Sequence, residues 1–176
     1  MTNNPVSFCA CGEHAFRTIG PRQVVLVDTS KWQFLDHWNW FVHPAGPSHE
    51  YCAANICGKR HLLHRLLVNS KGPVDHINGD TLDNRSTNLR AATHAQNVAN
   101  QKARKGGASR FKGVFRQKKH WACQVSKLGK AIRKSGFASE VEAAREYDRL
   151  AIQVHGKFAR TNAMLGLLDD HMRAGR

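Results

Sequence analysis

The sequence predicts an α+β chain with two kinds of unit. The middle of the chain reads as strand, long polar loop and helix. Beyond it lies a small three-stranded antiparallel sheet packed on one helix. Three observations carry this reading. Residues 121–127 (WACQVSK) set Trp121, Cys123 and Val125 against Ala122, Gln124 and Ser126, the alternation of a half-buried strand. Ser139 and Glu142 have the spacing of a capping box ahead of a helical pattern. Residues 74–97 (VDHINGDTLDNRSTNLRAATHAQN) are crowded with hydrogen-bonding side chains and hold few core candidates.

Taken in order, residues 1–60 form an N-terminal region, expected to be a small β-rich extension of the central unit. Within it VVLVD (24–28) reads as a short strand, although its unbroken apolar run also fits a piece of buried helix. The aromatic stretch 32–42 offers a core, and residues 44–48 a turn. Residues 61–100 are the central unit. HLLHRLL (61–67) is a short strand or a turn of helix, and Gly72-Pro73 breaks the chain after it. Asp75 and His76 then fall at a strand end, from which both side chains can reach one cleft. INGD (77–80) is a turn with its glycine in place. Asp83, Asn84, Arg85 and Asn88 lie in an extended loop, where polar side chains satisfy backbone groups that no ladder serves. Thr93 and Gln96 have capping-box spacing and start a helix near Ala95 that carries Asn97.

Residues 101–108 read as a basic linker. Residues 109–163 supply strands at 111–116, 121–127 and 131–137, separated by QKKH and LGK. A helix comes next, with Val141, Ala144, Tyr147 or Asp148, Ala151 and Val154 near one face. Glu142 with Arg145 and Glu146 with Arg149 are favourable pairs three apart, and Gly156 is the expected stop. Residues 164–176 are a packing tail.

The chain has 176 residues, 41% of them apolar, with four Trp and eight Phe, so a real core is expected. The net charge is +14, and it is unevenly placed. No Asp or Glu occurs between Asn84 and Ser139, a window that holds 14 of the 27 Lys and Arg residues. A merely solvated surface mixes its signs. Such a block favours a polyanion held by counterion release, and the expected partner is double-stranded DNA. No apolar run approaches the 18 residues of a membrane span, and the N-terminus has no secretion signal, so a cytoplasmic protein without membrane contact is expected.

The polar stretch offers metal chemistry as well as plain loop structure. A carboxylate at the strand end and an amide oxygen on the helix are hard ligands, suited to Mg²⁺ or Mn²⁺. An adjacent imidazole can take a proton from water attacking a phosphodiester. The five cysteines are odd in number, which argues against a disulfide scaffold. Cys9, Cys11 and His14 make half a zinc site that Cys52 and Cys57 would have to complete. With no CxxC pair among them, ordinary thiols and no structural Zn²⁺ are expected.

The stretch 74–97 resembles the core of the HNH endonucleases, in the phage and intron-encoded homing branch. The similarity extends upstream through LLHRLL and, more weakly, to VVLVD. The resemblance implies a ββα-metal fold and one divalent cation, Mg²⁺ or else Mn²⁺. It makes Asp75 and Asn97 the metal ligands, His76 the general base and Asn88 the residue that braces the loop. It places Arg65 at the scissile phosphate, and leaves His94 as a phosphate contact or substitute ligand. Residues 109–163 are similar to the AP2/ERF DNA-binding domain, through SRFKGVFRQKKHWACQVS and SGFASEVEAAREYDRLAIQVHGKFARTN. That likeness implies a sheet laid in the major groove, with Lys112, Arg116, Trp121, Gln124 and Arg133 as the contacts. Phe115 and Lys134-Ser135 depart from that family's pattern, so its target sequence does not carry over. Together the two imply a site-preferring nickase or homing-type endonuclease in a bacterial or phage-infected cell. A monomer is expected, or a dimer if both strands are cut. The competing readings are a non-catalytic DNA-binding regulator and a non-specific nuclease.

Overall fold

The computed structural model describes residues 4–46, 49–102, 107–127 and 129–168. Half of the expected linker, residues 103–106, and the end of the expected tail lie outside these residues. The chain divides into two compact units, Met1–Thr93 and His94–Arg176. The division falls before the central helix, not at the basic stretch 101–108. The N-terminal sixty residues fall in the first unit together with residues 61–93.

In the first unit, β1 (Ser7–Phe8), β2 (His14–Ile19) and β3 (Gln23–Asp28) form one antiparallel sheet. VVLVD is therefore strand. Ala15, Ile19, Val25 and Val27 point inward from it. The aromatic stretch folds as α1 (Trp32–His37) and a return segment, adding Leu35 and Trp40 to the same core. A second sheet is made of β4 (Phe41–Pro44), β5 (Glu50–Ile56) and β6 (Lys59–Leu62). HLLHRLL spans the end of β6 and the start of α2 (Leu63–Val68), which buries Leu63 and His64. Asn69 closes that helix at φ 49, in the left-handed conformation asparagine tolerates. The last pair is β7 (Val74–His76) with β8 (Leu89–Ala91).

The loop between β7 and β8 is bonded to the earlier sheet. Leu26 N–H donates to the Leu82 carbonyl (3.0 Å), and Asn84 N–H donates to the Leu26 carbonyl (2.8 Å). Ser86 N–H donates to Asp28 Oδ2 (2.9 Å), and the Thr81 hydroxyl donates to the Glu50 carbonyl. The N-terminal region thus serves as the frame on which the polar loop is held.

The second unit opens with α3 (His94–Asn100). Then come β9 (Val114–Gln117), β10 (His120–Lys127) and β11 (Lys130–Phe137), antiparallel in the order β11-β10-β9, and after them α4 (Glu140–His155). Phe111, Val114, Cys123 and Val125 meet Ala143, Ala144, Tyr147, Leu150 and Ala151 in one core. The capping box is present in full: Glu142 N–H donates to Ser139 Oγ (3.1 Å), and Ser139 N–H donates to Glu142 Oε2 (3.4 Å). That role occupies the Glu142 carboxylate. Glu146 makes its pair with Arg149 (2.7 Å) and a second with Lys134 (2.7 Å). Ala144, Tyr147, Asp148 and Ala151 are buried as expected and Val154 packs against the core, whereas Val141 is exposed and Ala143 and Leu150 join the buried stripe.

Gly113 lets the sheet approach α4. Its φ is +70, and a Cβ there would lie 2.1 Å from the Tyr147 ring and 2.8 Å from the Gln124 carbonyl oxygen. Asp148 and Asn162 pin the C-terminal return. Asn162 N–H and Nδ2 donate to Asp148 Oδ1 (2.6 and 3.0 Å), and Lys112 N–H donates to Asn162 Oδ1 (2.7 Å). Among the described residues no helix is long and apolar enough to cross a membrane.

Candidate active site and metal-ligand cluster

All three residues of β7 are buried. Pairing puts Asp75 opposite Arg90, which grips Asp75 Oδ2 through Nε (2.8 Å) and Nη2 (2.6 Å). His76 is the next residue. Its ring lies 5.1 Å from that of His64, edge to face, and 6.2 Å from Tyr51, which itself packs 5.0 Å from His64. Burial pushes the His76 imidazole below its ordinary range. A hydrogen bond with Asn84 and the charges of Asp75, Asp80 and Asp83 pull it partly back. His64 is driven down to about 3, by burial first and then by His76 and Arg65. Both rings are therefore neutral at pH 7, the state a proton acceptor needs.

The loop is held by its own side chains. Gly79 N–H donates to the His76 carbonyl (2.9 Å), closing a turn that Gly79 enters at φ +73. Asn88 accepts from Asn78 N–H at Oδ1 (2.9 Å) and donates from Nδ2 to the Asp83 carbonyl (2.7 Å). Asp83 takes two bonds from Arg85, through Nε (2.7 Å) and Nη2 (2.6 Å), and one from Asn78 Nδ2 (2.9 Å). Burial raises the Asp83 carboxyl, but these donors outweigh it and leave the group below its usual range.

Arg65 is exposed on α2, next to His64. His94 and Asn97 stand on α3, in the second unit, whereas Asp75 and His76 stand in the first. His64 and Tyr51 are the side chains that sequence reasoning passed over. The signal for His64 was present in LLHRLL, where Arg65 drew the attention instead.

A different set of metal-ligating side chains comes together at the turn between β1 and β2. Sγ of Cys9, Sγ of Cys11 and a ring nitrogen of His14 all lie within 4.8 Å of one another. This overturns the expectation of an Asp75/Asn97 site for Mg²⁺ or Mn²⁺ with structural zinc excluded. The gathered ligands are soft, a zinc-type set. The Asp75 carboxylate is engaged by Arg90. The cluster needs no help from Cys52, buried in the core with its thiol pushed up by desolvation, or from exposed Cys57. Absence of a CxxC pair misled the reading, because a tight turn brings a Cys-x-Cys-x-x-His set together equally well.

The expected DNA contacts divide by face. Cross-strand register puts Arg116 beside Trp121 and Val114 beside Cys123, all on the helix side of the sheet. Trp121 packs against the core, and the Arg116 guanidinium lies 5.0 Å above its ring. Lys112 Nζ donates to the Ala99 carbonyl (2.6 Å), and burial lowers its ammonium to about 8. Lys112, Arg116 and Trp121 thus lie off the face that carries Gln124 and Arg133. Gln124 and Arg133 are paired across strands on that face, with Arg133 Nε donating to Gln124 Oε1 (2.6 Å).

Two comparisons bear on the class of protein. Residues 62–99, which include the loop between β7 and β8, match the HNH endonuclease family. Over 151 residues the chain is 29% identical to an uncharacterized HNH endonuclease of Acanthamoeba polyphaga mimivirus, covering 81% of this chain and 76% of that one. No solved structure matches the chain. Neither match assigns residues 109–163 to the AP2/ERF family.

Proposed function

We propose that this chain is a DNA endonuclease that nicks one strand of a duplex at preferred sites, with His76 as the general base. His76 takes the proton of an attacking water. The water oxygen bonds to phosphorus, the bond to the 3′-oxygen breaks, and that oxygen takes a proton from solvent. The products carry a 5′-phosphate and a 3′-hydroxyl. Arg65 contacts the phosphate. Asn88 is a positioning residue, acting through the loop after His76. Asp75, gripped by Arg90, fixes β7; no ion is assigned to it or to Asn97. The open face of the second unit's sheet, with Gln124 and Arg133, provides an AP2-like reading surface in a groove. One nuclease segment per chain acts on one strand at a time, and a double-strand break requires two copies.

The observation that supports this most is a buried, neutral imidazole inside the HNH-matching segment, set at the mouth of a loop braced by side-chain amides. The test is nicking of supercoiled duplex DNA by the wild type and by His76→Ala, across a panel of divalent ions. The variant is expected to lose about 1000-fold in rate while retaining duplex affinity. Equal nicking by both proteins would remove the assignment. DNA binding with no nicking by the wild type under any ion would favour a regulator.

A further inference from the structure

The Cys9–His14 turn is built to a fixed shape. Cys9 N–H donates to the His14 carbonyl (2.9 Å), and Gly12 N–H donates to the Cys9 carbonyl (2.9 Å) with Gly12 at φ +75. From β3's end, Thr29 holds the same turn, its N–H on the Glu13 carbonyl (2.9 Å) and its hydroxyl on the Gly12 carbonyl (2.8 Å). Cys11 Sγ lies 3.5 Å from His14 Nδ1 and 2.9 Å from Cys9 Sγ. Two sulfurs about 2.3 Å from one tetrahedral zinc sit about 3.7 Å apart. Loading an ion therefore requires the sulfur pair to open by about 0.8 Å, within reach of two side-chain torsions.

The other side of the His14 ring faces a cation. Arg85 Nη1 lies 3.3 Å from His14 Nε2, and the same guanidinium makes the two bonds to Asp83. Arginine only donates. Nε2 must therefore accept, and the ring proton sits on Nδ1, facing Cys11. A metal bound at Nδ1 reverses this. The proton moves to Nε2, where it opposes the N–H of Arg85, and the ion adds positive charge to the same locality.

We infer that Cys9, Cys11 and His14 hold one zinc-class ion, with solvent in the fourth position, and that its binding switches His14 to the Nε2–H tautomer and expels Arg85. Occupancy of the N-terminal turn is thereby felt in the loop at Asp83 and Asn88. Released from His14, the guanidinium falls back on Asp83. The ion tightens the first unit and retunes the brace behind His76. The site stands on its own geometry; its consequence for cleavage rests on the nuclease reading.

The full chain, kept reduced with a phosphine, is titrated with Co²⁺ as the probe. The expected result is a sulfur-to-metal charge-transfer band saturating at one equivalent, with visible bands of a four-coordinate ion, displaced by Zn²⁺. Cys11→Ser should abolish the charge-transfer band's saturation at that equivalent, and Cys57→Ser should leave it unchanged. Arg85→Gln keeps a donor for Asp83 and offers an oxygen to Nε2–H, so it should bind the ion about 10-fold more tightly. No saturable band in the wild type, or equal loss in both cysteine variants, overturns the site. Unchanged or weaker binding by a folded Arg85→Gln protein overturns the switch. If that variant does not fold, ¹⁵N shifts of His14 decide, since a ring that stays protonated at Nδ1 in the zinc-titrated wild type refutes it. Each readout is independent of DNA cleavage, so failure here and failure of the nuclease assignment are told apart.

Discussion

The two units bury different things. In the first, Arg17, His64, Asp75, His76, Asp83, Asn84 and Asn88 are all inside, and two of its three small sheets share one modest apolar cluster. In the second, a single sheet and helix close over a largely apolar core, with Asp148 and Asn162 forming one polar pin. Buried polar groups cost free energy unless they are bonded, so the first unit owes its loop conformation to its hydrogen-bond network. The second owes its shape to close packing, and its open sheet face can change without disturbing it. The proposed chemistry falls where the structure is most polar and most interdependent.

The largest expected effect tests the packing side of this contrast. Gly113→Ala drives a methyl into Tyr147 and imposes a positive φ on alanine, and should cost the second unit about 3 kcal/mol or more. Urea unfolding monitored by circular dichroism reads it; a shift below about 1 kcal/mol would show that the sheet and α4 are not in such tight contact. Next comes the network. Asn88→Ala leaves Asn78 N–H and the Asp83 carbonyl without their partner, at a cost of about 2 kcal/mol. Amide exchange at Asn78 should quicken and nicking should fall, with the second unit's protected amides unmoved.

Acid should separate the units further. Unfolded His64 binds a proton below about 6.5, whereas folded His64 does so only near 3. Between those values the unfolded state binds more protons, so stability falls as pH drops, by up to about 1.4 kcal/mol per pH unit. His64→Leu should flatten that slope. Glu146 in the second unit has the same sign in a lower window: Arg149 and Lys134 hold it down to about 2, so its contribution is full above the ordinary value of 4.5 and is lost as pH falls toward 2. A pH–stability profile of the wild type against His64→Leu, unchanged between them, would dismiss the buried-histidine account. The smallest effect on stability belongs to Arg133→Ala, within about 0.5 kcal/mol because Arg133 is exposed. In a duplex-binding titration it should lower the salt slope by about one.

Legibility divided along the same line. The sheet and helix of the second unit could be read because Trp121, Cys123 and Val125 alternate, and because Ser139 and Glu142 announce the helix start. Those are local signals with a fixed period. The register that carries Arg116 to the helix side could not be read, since it depends on which residue of β9 faces Trp121. In the first unit the turn at Gly79 and the polarity of residues 83–88 were plain. That β3 holds the loop, through Leu26 and Asp28, was not, because these bonds span more than fifty residues.

By itself the sequence determined the elements, the positive charge between Asn84 and Ser139, and the polar stretch around Asp75 and His76, because periodicity, capping and composition are properties of neighbours along the chain. Tertiary structure alone decided that Asp75 is gripped by Arg90, that His64 packs edge-on against His76, and that a zinc-type cluster at Cys9, Cys11 and His14 touches the loop through Arg85. Those outcomes are set by distances between residues remote in sequence, and by the desolvation that results when they meet.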